Sequence, residues 1–285
     1  MKNHSDFVLP RADFSPGYVG LHLRGELAGR IEQALEMLHA CNLCPHQCGV
    51  DRVSGELGEC KTGRYAFLSS ANPHFGEEDP LRGYRGSGTI FVTHCNLHCV
   101  FCQNYEISHE GWGREVGSAE LAEVMLHLQE MGCHNINWVT PDHVVPQLLE
   151  ALLVAAEAGL TIPIVYNSSA YVEVETLKLL DGVVDIYMPD FKLWSVEAAA
   201  EYLQAPDYPE KARAAISEMH RQTGDLKLDK QGIALQGVLL RHLVMPNHLQ
   251  ESGAIFDWIA SHLSSDTYIN IMGQFRPAGA VRGKH

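Results

Sequence analysis

From Gly86 onward the chain alternates short apolar runs with amphipathic stretches, and this alternation constrains the fold more than any other feature. The runs Gly88–Thr93, Asn135–Val139, Ile162–Tyr166, Val183–Tyr187, Leu235–Leu240 and Thr267–Ile271 have the length and composition of buried strands. Between the first two, Ser118–Met131 places Leu121, Met125 and Leu128 on one helical face, with Ser118 as N-cap. Asp142–Ala158 reads as a helix ended by Gly159, and Val172–Leu180 and Ser252–Leu263 read as two more. Ser195–Met219 is helical but interrupted by Pro206 and Pro209. Parallel neighbours need long crossovers, so six strands joined by helices predict a parallel sheet. Two shapes satisfy that order: a sheet curved into a partial barrel, and an open doubly wound sheet.

The first strand runs directly into Thr93-His-Cys-Asn-Leu-His-Cys-Val-Phe-Cys-Gln-Asn104. Three thiolates this close, from Cys95, Cys99 and Cys102, can hold three corners of a cubic iron–sulfur cluster. A closed electron-transfer cluster takes four cysteines. No fourth follows nearby, which leaves one iron open, and an open metal position is where a substrate or cofactor binds. The competing reading is a three-Cys zinc knuckle completed by His94 or His98, although zinc ligands usually pair as C-x2-C. Chemistry in β/α barrels collects at the C-terminal ends of strands. A cluster loop in that position favours the partial barrel over the open sheet.

Residues 1–85 are expected to form a separate Cys-rich region, with the barrel over 86–285. Leu27, Ile31, Leu35 and Leu38 make one helical stripe, which is core packing. Cys41, Cys44 and Cys48 follow, with Cys60 after Gly55-Glu-Leu-Gly-Glu. Four such ligands suit one tetrahedral zinc or one closed cubic cluster, and spacing does not choose between them. Gly83-Tyr-Arg-Gly-Ser-Gly88 precedes a strand rather than following one, so it reads as a turn and not as a phosphate loop. Cys133 stands alone and reads as a core thiol.

Composition narrows the classes further. The 285 residues are 46% hydrophobic, enough to bury a sizeable core. A formal net charge of −14 repels phosphate backbones on average and disfavours nucleic-acid partners. The N-terminus lacks a signal-peptide core, and the longest apolar stretch, Ala151–Ala156, is too short to span a bilayer. Eight cysteines, seven of them in closely spaced sets, then predict metal ligands in a reducing cytoplasm.

The spacing C-x3-C-x2-C, with Phe101 before the last cysteine, resembles the radical S-adenosylmethionine (SAM) superfamily. That resemblance implies a partial (β/α)6 barrel. It also implies a [4Fe–4S] cluster on Cys95, Cys99 and Cys102 whose open iron chelates SAM. One electron, from a donor such as flavodoxin or ferredoxin, then releases a 5′-deoxyadenosyl radical for hydrogen abstraction. More narrowly, Gly86–Cys95, Cys102–Ser108, Cys41–Cys48, His74-Phe-Gly-Glu-Glu78 and Arg241-His-Leu-Val-Met-Pro246 are similar to uncharacterised relatives of pyruvate formate-lyase activating enzymes. By that likeness Met188, Asp190, Lys192 and Arg241 line the SAM site, together with Phe101 and the strand-end residue Asn167.

Two departures stand out. Asn137-Trp-Val-Thr-Pro141 replaces the superfamily's Gly-Gly-Glu-Pro, which moves the expected contact with the SAM amino group to Val139 and Thr140. The chain also stops at His285, short of a further helix in relatives, which predicts a shortened barrel wall. The substrate suggested by the likeness is a glycine in a partner enzyme, and a small molecule or another protein side chain fits equally well. The alternative is a non-catalytic iron–sulfur or zinc protein in electron transfer or scaffolding, which leaves Asp190, Lys192 and Arg241 unexplained.

Overall fold

A computed structural model describes residues 4–281. Its strands are β1 (Ala66–His74), β2 (Ser87–Val92), β3 (Arg114–Val116), β4 (Ile136–Val139), β5 (Ile164–Ser168), β6 (Ile186–Pro189), β7 (Lys227–Leu228), β8 (Ala234–Leu243) and β9 (Tyr268–Met272). The helices are α1 (Gly17–Leu23), α2 (Glu26–Glu36), α3 (Asp79–Arg82), α4 (Tyr105–Ser108), α5 (Ser118–Glu130), α6 (Val145–Glu157), α7 (Val174–Lys178), α8 (Val196–Leu203), α9 (Tyr208–Thr223) and α10 (Leu249–His262).

One sheet runs β3-β1-β2-β4-β5-β6-β8-β7, with β9 also paired to β8. Strands β2, β4, β5, β6, β8 and β9 are parallel neighbours in that order, so the six expected strands are all present. The sheet also has antiparallel additions that periodicity missed. β1 pairs with β2 and with β3, and β7 pairs with β8. The sheet therefore begins at residue 66, upstream of the Gly86 turn. β1 reads Ala-Phe-Leu-Ser-Ser-Ala-Asn-Pro-His, whose Ser, Asn and Pro are poor strand formers and suit a half-exposed position near the edge.

Two faces of the sheet are apolar in different ways. Ile136, Trp138, Ile164, Tyr166, Tyr187, Val238 and Leu240 join the large core beneath the helices. Val165, Ile186, Met188 and Leu239 alternate with them and form a second cluster with Leu81 and Leu226. Helix α6 is buried on most of its surface because α2 and α5 pack on either side of it. The α2 stripe Leu27, Ile31 and Ala34 is buried there, and the helix thereby ties the N-terminal residues to the sheet's helical layer. Cys133 is buried in the same core. No helix among the described residues is long and apolar enough to cross a membrane.

Candidate functional site

The parallel strands β2, β4 and β5 leave the sheet through residues with left-handed backbone. These are His94 (φ 63°), Thr140 (φ 57°) and Ala170 (φ 61°). Non-glycine residues seldom adopt this conformation, least of all a β-branched threonine, and such strain gathers at functional sites. His94 turns the chain directly into the cysteine loop. There Cys99 is buried, while Cys95 and Cys102 are half-buried. The Leu97 amide donates to Cys95 Sγ at 3.3 Å, and Ser108 Oγ lies 3.1 Å from Cys102 Sγ. Burial pushes the Cys99 thiol up to about 12, with Lys192 pulling it the other way and Asp190 adding to the rise. Cys99 is therefore within electrostatic reach of residues at the end of β6.

Those residues form a charged network. Asp190 accepts from Lys192 Nζ at 2.6 Å and from Arg241 Nε at 2.7 Å. Arg241 Nη2 donates to Asn167 Oδ1 at 2.8 Å, and its Nη1 lies 3.7 Å from Glu78 Oε1. Asn270 Nδ2 donates to the same Glu78 oxygen at 2.9 Å. Burial alone would raise the Asp190 carboxyl, but Arg241 and Lys192 outweigh it and hold the group down at about 2. Asp190, Lys192 and Arg241 expose less than a fifth of their side chains, so their charges meet little screening water.

Strand register explains the convergence. Val139 lies opposite Asn167, and Asn167 lies opposite Met188. Asp190 bridges to Arg241, and Arg241 lies opposite Asn270. Two rows two residues apart at the end of β6, Val139–Asn167–Met188 and Asp190–Arg241–Asn270, thus meet across the C-terminal ends of five neighbouring strands. The Thr140 amide donates to the Asn167 carbonyl at 2.9 Å, so Thr140 joins Val139 at the end of the first row. Met188 is wholly buried at the other end. Phe101 is buried against Phe275, with ring centroids 6.3 Å apart, and makes a wall rather than a polar contact.

Neither histidine of the loop is aimed at the thiols. His98 Nε2 pairs with Glu59 at 2.9 Å, and the His94 ring stands edge-on to Phe67 at 5.9 Å. Asp142, which follows β4, is buried and accepts from Ser168 at 2.6 Å and Ser169 at 3.0 Å, which pins the β5 exit.

Two members of the site carry no assignment from the sequence. Glu78, from the loop before α3, reaches Arg241 from far upstream, and its Oε2 is buried without a partner. Tyr208, on α9, donates to the Asp190 carbonyl at 2.8 Å and accepts from the Lys192 amide at 3.0 Å. The only available signals were the run His74–Glu78 for the first and the Pro206–Pro209 break that starts a new helix for the second.

The N-terminal cysteines form a separate group. Cys41, Cys44 and Cys60 are buried and Cys48 is exposed, and all four line one apolar cavity. Their loop touches the first cysteine loop through His46 Nε2, 2.7 Å from the Asn96 carbonyl.

The sequence profile of the radical SAM superfamily matches residues 89–224, from inside β2 to the end of α9. The chain is also 33% identical over 256 residues to an uncharacterised protein of Methanocaldococcus jannaschii, covering 87% of this chain and 69% of that protein. The profile match contains the Cys95–Cys102 loop, Asn167, Asp190 and Lys192, and it leaves Glu78, Arg241 and the N-terminal cysteines outside.

Proposed function

Because the chain belongs to the radical SAM superfamily, whose members are SAM-dependent enzymes using a [4Fe–4S] cluster, we propose that it cleaves SAM reductively to abstract hydrogen from a substrate. In this reading Cys95, Cys99 and Cys102 ligate the cluster. The observation that carries it is the placement of Cys99 within electrostatic reach of the Asp190–Lys192 pair, across the strand ends from Arg241. A ligand chelating an open iron beside Cys99 would face the anion and two cations of this network, which complements a zwitterionic sulfonium.

The cluster with SAM bound would supply a 5′-deoxyadenosyl radical. The protein's own residues bind and orient. Asp190 faces the cationic groups of the ligand, while Lys192 and Arg241 face its carboxylate. Asn167 holds the Arg241 guanidinium in place, and Val139 with Thr140 offers backbone to the amino group. Phe101 and Met188 shield the strand ends from water. The six parallel strands then form a partial (β/α)6 barrel, with β1 and β3 added at its edge and the four N-terminal cysteines beside it. The electron comes from a flavodoxin or ferredoxin-like donor in the cytoplasm. The substrate is a glycine in a partner enzyme, another protein side chain or a small molecule. The competing reading, a non-catalytic iron–sulfur or zinc protein, has no use for a half-buried Asp–Lys–Arg set.

Anaerobic protein reduced with dithionite in the presence of SAM is expected to release 5′-deoxyadenosine, and Cys99→Ala is expected to release none. Equal release from both proteins, or none from a wild-type protein carrying its cluster, would remove this assignment.

A further inference from the structure

Nothing in the barrel site uses Cys41, Cys44, Cys48 and Cys60. The segment that carries them is built around sulfur. Cys41 and Val50 are joined by a backbone hydrogen bond of 3.0 Å, and the Gly49 amide returns to the Cys41 carbonyl at 2.9 Å. The buried Arg52 guanidinium donates to Cys41 Sγ at 3.8 Å and to the His143 carbonyl at 2.8 Å. The Glu59 amide donates to Cys48 Sγ at 3.4 Å. At Gly58 any added Cβ would come 2.8 Å from Cys48 Sγ, so glycine is needed for this approach. Cationic and amide donors thus reach the sulfurs of Cys41 and Cys48, contacts of the kind that orient thiolate ligands around a metal.

The spread of the thiols separates the candidate groups. One zinc ion draws every ligand to about 2.3 Å from a single centre. A cubic cluster places each thiolate on a different iron and keeps the sulfurs apart. Among the described residues, no three His, Cys, Asp or Glu side chains converge closely enough to ligate one ion, although these four thiols line one cavity. Cys95, Cys99 and Cys102 share that spread, and theirs is the site where the superfamily carries a cubic cluster. The cavity that the four N-terminal thiols line leaves about 10 Å³, room for roughly one water, which is more than ligands drawn to about 2.3 Å from one zinc would leave. Cys41 packs with Leu38 and Leu43, whereas Cys48 is exposed.

We propose that Cys41, Cys44, Cys48 and Cys60 bind a second cubic iron–sulfur cluster. Four thiolates close it, so no iron is left to chelate SAM. The inference rests on the reading that Cys95, Cys99 and Cys102 hold the other cluster.

Anaerobically reconstituted wild-type protein is expected to contain about eight irons per chain and no stoichiometric zinc. The variant Cys95→Ala/Cys99→Ala/Cys102→Ala is expected to keep about four. Its dithionite-reduced electron paramagnetic resonance signal should not move when SAM is added, and adding Cys44→Ala and Cys60→Ala should abolish it. One zinc per chain in the wild type, a folded but metal-free triple variant, or a signal that shifts with SAM overturns the proposal. The wild-type count decides even if the triple variant unfolds. Iron undiminished in the triple variant would instead overturn the assignment at Cys95, Cys99 and Cys102 and leave this site standing.

Discussion

Asp190 sits between two cations and is half-buried with them, and a charge shielded from water is tolerated only when its partners are in place. Replacing it by Asn keeps the shape and removes the charge. If Asp190 faces SAM, Asp190→Asn should weaken SAM binding by about 1.5–3 kcal/mol, roughly ten- to a hundredfold. The cluster absorbance should stay unchanged, because Asp190 ligates no iron in this reading. Arg241→Lys is a second probe. It keeps the positive charge but loses the planar fork that spans Asp190 and Asn167, so it too should weaken binding. Calorimetric titration of SAM into both cluster-loaded variants measures this, and wild-type affinity in both would move the network off the cofactor site. Much of the network was legible because Asn167, Asp190, Lys192 and Arg241 are polar residues directly at strand ends. Glu78 and Tyr208 were not, since each arrives from another element and no local pattern announces a contact made only in the folded chain.

At the scale of elements, periodicity located the six parallel strands but drew some of them too early. Val183–Tyr187 was expected where β6 runs Ile186–Pro189, and Ile162–Tyr166 where β5 runs Ile164–Ser168. The strands extend into Asn167-Ser168 and Pro189, which resemble turn residues, because a strand feeding a site ends in polar groups. β8 is longer than expected for a related reason. Gly237 lies within it at φ 117°, and its amide donates to the Asp185 carbonyl at 2.9 Å. A Cβ there would stand 2.4 Å from the Asp225 carbonyl oxygen. Gly237→Ala therefore meets both backbone strain and a clash, and should cost about 2–5 kcal/mol. Gly253, inside α10, is the opposite case, with nothing within 4 Å of its added Cβ and no left-handed backbone. Gly253→Ala should stabilise the protein by about 0.5–1 kcal/mol. Urea midpoints that fail to move in opposite directions would contradict this account of β8 and α10.

For the whole molecule, the question is what joins the N-terminal residues to the sheet, and one buried carboxyl takes part directly. Asp185, just before β6, accepts from the Gly17 amide at 2.9 Å and from the Ile164 amide at 3.0 Å. It thus ties the start of α1 to β5. Burial pushes this carboxyl up to about 7, and the two amide donors only partly offset the rise. The raised value means that the folded protein holds a proton on Asp185 near pH 6 that the unfolded chain has already released. Stability from this group is complete below the unfolded pKa, near 4, and is lost as pH rises through about 7. Between pH 6 and pH 8 the loss should be about 1–1.5 kcal/mol. Asp185→Asn cannot ionise, so its stability should not carry this slope. It should be less stable than wild type at pH 6, because an amide oxygen accepts in place of one carboxyl oxygen while its NH2 cannot accept from the second amide. The gap between the two proteins should narrow toward pH 8. Comparing urea midpoints of both at the two pH values cancels every other titrating group. A gap that stays constant would show that Asp185 holds no proton in the folded protein at pH 6, which removes the pH dependence but not the two amide contacts.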